Sequence, residues 1–100
     1  MNRQLNQMSG GQKAGFTPRQ GQYLAFIDAY ARLNRRPPAE ADMQWFFGVT
    51  PPSVHHMVLT LERAGLIRRR PGAPRTIELL VPPDDLPALQ AENTNPSKPL

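Results

Sequence analysis

The side chains with the most chemistry to offer lie in two short stretches. The first, Thr50-Pro51-Pro52-Ser53-Val54-His55-His56, carries two hydroxyls and two imidazoles. Imidazole nitrogens donate or accept hydrogen bonds, and short polar side chains of this kind match the donor and acceptor pattern on a base-pair edge. The second stretch sets Arg68, Arg69, Arg70 and Arg75 within eight residues, with no acid among them. Guanidinium forks suit phosphate oxygens. The plainer uses of the same residues are a solvated helix face and a solubilising charge run. A metal is not expected: His55 and His56 are the two histidines and there is no cysteine, while adjacent helical residues point about 100° apart. No cofactor is expected either. Phosphate-loop and nucleophile-elbow motifs are absent, and Asp28, Glu40, Asp42, Glu62 and Glu78 are spread singly, so an enzyme is not expected.

A helix that reads bases needs an apolar back and a partner helix to hold it. Thr50 is a good N-cap and Pro51 fits the first helical position. Val54, Val58 and Leu61, with Met57 beside them, form the apolar face of that helix, which Gly65 closes. Ser53, His55, His56 and Thr60 lie opposite. Upstream, a shorter helix begins near Ala39 or Glu40 and ends at Gly48, which can take the left-handed conformation of a tight turn. Glu40 and Asp42 sit in its first turn, favourably for the helix dipole. Still earlier, Thr17 and Pro18 start a helix over 18–34, with Tyr23, Leu24, Ile27, Tyr30, Ala31 and Leu33 at helical spacing. Pro37-Pro38 stops it. After Gly65 the period changes: 66–70 and 76–81 read as strands, with Pro71-Gly72-Ala73-Pro74 as the turn between them. Three helices and a two-stranded wing make a mainly α fold with a β-hairpin, a winged helix-turn-helix. Because strand side chains alternate, Arg68, Arg69 and Arg70 cannot share one face.

The chain has 100 residues, 12 of them proline, and 12 Lys and Arg against 8 Asp and Glu. That length suits one small domain. Residues 1–15 show neither a helical nor a strand period and read as a flexible leader; 16–81 form the domain; 82–100 hold five prolines and read as a disordered tail apart from a short stretch near Leu86–Leu89. No apolar run is long enough for a membrane span and no signal peptide opens the chain, so a soluble, cytoplasmic protein is expected.

Thr17-Pro18-Arg19-Gln20, Pro37-Pro38, the run from Thr50 to His56, Leu61-Glu62-Arg63-Ala64-Gly65-Leu66-Ile67-Arg68-Arg69 and Pro71-Gly72-Ala73-Pro74-Arg75 occur in order. Together they resemble the N-terminal DNA-binding domain of the LexA repressors of the SOS response. The resemblance implies a winged domain whose third helix enters the major groove. By position it implies base reading by Thr50, Pro52, Ser53, His55 and His56, and a wing contact to phosphate near Arg75. The family's C-terminal autoprotease has no counterpart in these residues, so self-cleavage and dimerisation through that module are not expected; Ala64-Gly65 closes helix three and is not the family's cleavage site. Two further departures lie in helix two. Ala39 stands where the family has a Ser or Thr cap. Gln44, Trp45 and Phe46 stand where it has a small residue and two polar ones.

Met43 and Phe47, four residues apart, can reach the core together, whereas Trp45 and Phe46 cannot both join them. Either one of the pair packs on a neighbouring segment, or they form an apolar patch for a protein partner or a second copy. The expected function is sequence-specific binding of double-stranded DNA by a transcriptional regulator. The alternative is a winged-helix interaction module that uses Trp45 and Phe46.

Overall fold

The Thr17 side chain accepts a hydrogen bond from the Gln20 amide (3.1 Å), and the Gln20 side chain accepts one from the Thr17 amide (2.9 Å). This reciprocal cap and Pro18 start α1, Pro18–Asn34. α2 spans Glu40–Phe47 and ends at Gly48, whose φ of 65° is left-handed. A side chain would be strained there, which explains the glycine. α3 spans Pro51–Arg63; the Thr50 hydroxyl accepts from the Ser53 amide at its start. A short antiparallel pair follows, β1 (Ile67–Arg68) and β2 (Glu78–Leu79), with Ile67 opposite Leu79 and Arg68 opposite Glu78. This arrangement, in a computed structural model that describes residues 15–90, is a winged helix-turn-helix. The leader expected over 1–15 lies outside the described residues except for Gly15.

The core forms where the three helices meet the wing. Leu24, Met43, Val54, Val58 and Leu61 are wholly buried, with Ile27, Leu66, Ile67 and Ile77 around them. Burying each such side chain contributes roughly 1.5–3 kcal/mol. An aromatic cluster ties α1 to α2: Tyr23 stacks on Phe47 at 4.0 Å between centroids, and Phe26 lies 4.7 Å from Phe46. Phe46 is therefore the member of the Trp45–Phe46 pair that packs on helix one.

Four expectations change. Leu33, placed in the core by its spacing, is 81% exposed; it sits in the last turn of α1, beyond the reach of the packed elements. Phe26, absent from the expected core, is buried among the α2 aromatics. The strands are two residues each rather than five or six. Prolines 71 and 74 lack amide donors, and the Thr76 hydroxyl takes the place of the ladder: it accepts from the Arg70 amide (2.9 Å) and donates to the Ala73 carbonyl (3.0 Å). Lastly, the packed structure runs past 81. Val81 is buried, Pro83–Asp85 form a 3₁₀ turn, and Leu86 and Leu89 rest on the core. The Gln22 amide group donates to the Ala88 carbonyl (2.9 Å) and its oxygen accepts from the Gln90 amide (2.8 Å). Gly21 makes room for this segment, since a Cβ there would lie 3.0 Å from both Phe16 and Pro87.

Candidate nucleic-acid interface

α3 separates its side chains cleanly. Val54, Val58 and Leu61 have no exposed surface, while Thr50, Pro52, Ser53, His55 and His56 are all exposed along the N-terminal half. The helical period brings Pro52, Ser53, His55 and His56 to the outer side, opposite the core, with the N-cap Thr50 at its start. Thr50 and Ser53 are joined, their hydroxyl oxygens 3.0 Å apart, so both belong to the cap as well as to the surface. Thr60 is different: half-buried, its hydroxyl donates to the His56 carbonyl (2.9 Å) and so is held by its own helix. His55 lies 3.2 Å from Glu40 of α2, a partner that the sequence did not point to.

The four wing arginines do not act alike. Arg68 donates to Glu78 across the strand pair (2.8 Å), with both side chains well exposed. That hydrogen bond, and then the opposite charge, holds the Glu78 carboxyl below its ordinary range and raises Arg68. Arg69 turns under the wing, only 15% exposed, with its Nε 3.2 Å from Glu62 of α3. The contact is ionic without the alignment of a hydrogen bond. Arg75 turns inward: its Nη1 lies 3.0 Å from the Tyr30 hydroxyl, 3.0 Å from Asp42 and 3.3 Å from the Pro37 carbonyl. The Tyr30 bond chiefly, with Asp42 beside it, raises its affinity for the proton further. Arg75 also has a left-handed backbone (φ 58°), a strained state for a non-glycine residue that persists only where surroundings impose it. Arg70 is exposed, and its guanidinium has no ion-pair partner among the described residues.

Helix two gives Asp42, placed by the sequence in the first turn, a role that the sequence did not show. Asp42 accepts from the Ala39 amide (2.8 Å), the half of a capping box that alanine still allows, and holds Arg75 at the same time. Its position three residues after an uncapped helix start was the available signal. Trp45 is 85% exposed. It borders a shallow hollow of about 300 Å³ with Phe26, Tyr30, Asp42 and Phe46. Among the described residues no three potential metal ligands cluster, and no helix is long and apolar enough to cross a membrane.

A buried three-helix core, a tight turn into a helix with a polar outer face, and a hairpin beside it define a winged helix-turn-helix domain. A family model described as the LexA DNA binding domain matches residues 13–76, and the chain belongs to that family. It is 37% identical over 81 residues to the LexA repressor of Frankia alni, covering 80% of this chain and 31% of that protein. It is 40% identical over 75 residues to the LexA repressor of Syntrophomonas wolfei, covering 74% and 35%. The Bacillus subtilis LexA repressor is 38% identical over 76 residues, covering 75% and 37%. The chain thus spans about a third of the length of these relatives. The family match ends at Thr76, short of the segment that docks on α1.

Proposed function

We propose that this chain binds double-stranded DNA with sequence preference and regulates transcription in the cytoplasm as a LexA-like repressor domain. The observation that carries the reading is the face of α3: Thr50, Pro52, Ser53, His55 and His56 stand exposed on a helix whose other side is locked into the core. The major groove admits one α-helix and displays a distinct pattern for each base pair. Ser53, His55 and His56 offer donors and acceptors, while Thr50 and Pro52 bring the helix start close to the backbone and the thymine methyls. In the wing, Arg70 is the phosphate contact. Arg68 can join it, because its partner Glu78 is exposed and exchange for a phosphate costs little. Arg69 and Arg75, engaged by Glu62 and by Tyr30 and Asp42, leave that role. The activity is binding, with no bond made or broken.

Selection from a random duplex pool tests this reading. Wild-type protein should enrich a defined motif. His56→Ala should relax preference at one base pair by roughly 1–3 kcal/mol. Affinity should fall steeply with salt, in proportion to the phosphates neutralised. No enrichment, with a flat salt response, would turn the reading toward a protein-interaction module. One observation favours a role for helix two beside DNA binding. Trp45 leaves its indole in solvent beside an apolar hollow, and a single small module gains affinity from a second copy at a second half-site. Sedimentation of wild type and Trp45→Ala checks whether that surface self-associates.

A further inference from the structure

Glu40, in the first turn of α2, sets both carboxylate oxygens against one ring nitrogen of His55: Nδ1 lies 3.2 Å from Oε2 and 3.3 Å from Oε1. The two residues belong to different helices, so the turn between α2 and α3 makes the contact. A carboxylate only accepts, so the nitrogen that faces it carries the proton. The two imidazole nitrogens point to opposite edges of the ring. With Nδ1 turned to Glu40, Nε2 is the atom left to meet anything outside, and the His55 side chain is 53% exposed. A first-turn carboxylate suits the dipole of α2 wherever its side chain points, so the dipole does not account for its turning onto a residue of the next helix. A carboxylate beside a DNA-reading surface also repels phosphate.

We propose that Glu40 is the positioning residue that makes Nε2 of His55 the base-reading atom, and that it thereby fixes the base class at one position of the DNA site. The inference rests on base reading by α3. With a neutral ring, Nδ1–H is given to Glu40 and Nε2 is an acceptor. Its major-groove match is an exocyclic amine, adenine N6 or cytosine N4. The charged groups that share the hollow with the ring are Glu40 from α2 and Arg69 and Arg75 from the wing; His56 follows on α3 itself. Of these, only Glu40 is a carboxylate, and it alone contacts Nδ1.

Site selection from a random duplex pool with wild type, His55→Ala, Glu40→Ala and Glu40→Gln tests the inference. His55→Ala identifies the column of the motif that His55 reads. Wild type should favour adenine or cytosine there. Glu40→Ala should lower the preference in that column roughly tenfold while the other columns stand. Glu40→Gln, which keeps an acceptor for Nδ1–H, should restore the column. A column as sharp in Glu40→Ala as in wild type, a column that favours guanine or thymine, or an even loss across all columns overturns the inference. Wild type that enriches no motif at all defeats the base reading underneath it, which is a separate and recognisable result.

Discussion

Along α3, Pro52, Ser53, His55 and His56 face outward while Val54, Val58 and Leu61 are buried, as a single amphipathic helix requires. In the wing, by contrast, three of four neighbouring arginines face acids of the same molecule: Arg68 meets Glu78, Arg69 meets Glu62 and Arg75 meets Asp42. Both stretches carry strong local patterns. The helix face follows from spacing alone, because a period of 3.6 residues decides which side chains share a side. The fate of a cation depends on which carboxylates the fold brings within about 4 Å, and those come from α2, α3 and the opposite strand. A cluster of arginines in a sequence therefore says less about which cations stand free than helical spacing says about which side chains stand exposed.

The contrast can be broken at several points. The largest effect is expected behind the exposed face of α3. Leu61→Ala removes a fully buried side chain that holds α3, and should cost about 2–5 kcal/mol of stability in denaturant unfolding. If DNA preference survives with stability unchanged, α3 is not supported as described. Next comes Arg75→Ala. It leaves Tyr30 and Asp42 without their shared partner and should lower the melting temperature more than any other wing arginine does. A normal melting curve with a reduced salt slope would return Arg75 to the phosphate contacts. Arg70→Ala should do the opposite, leaving the melting curve in place while reducing the slope of log affinity against log salt by about one. The smallest effect belongs to the Arg68–Glu78 pair. Because Glu78 titrates below its ordinary value when folded, its contribution is complete above that ordinary value. It fades as the pH falls through the lowered one. Glu78→Gln should lower stability slightly at neutral pH and by progressively less as the pH falls through the lowered value, and a difference that stays the same in acid would mean that the ionised pair is not its source.

α3, its cap at Thr50, the Gly48 turn and the α1 boundaries were legible in the chain, because caps and periods act over a few residues. Trp45 and Phe46 show where legibility stops. Their spacing tells that both cannot join Met43 and Phe47 in the core. It does not tell which is covered; Phe26 of α1 meets Phe46 and leaves Trp45 in solvent. The docking of 82–90 was legible only as a short stretch near Leu86–Leu89. Its prolines argue against regular structure, and its hold on the domain includes the packing of Leu86 and Leu89 on the core, two hydrogen bonds to Gln22 and the close approach at Gly21. Such contacts have no signature in a proline-rich segment read by itself.

By itself the sequence determined the local and periodic facts: where helices start and stop, which face of each is apolar, and that a polar helix is followed by a basic hairpin. These depend on backbone preferences and side-chain spacing within one element, so a neighbouring element is not needed to predict them. The tertiary structure alone decided which charges are paired and which are free, that Asp42 serves both a helix cap and Arg75, and that Glu40 turns one edge of His55 inward. Each of those contacts joins residues from different elements, at distances of about 3 Å that only packing of the elements against one another can set.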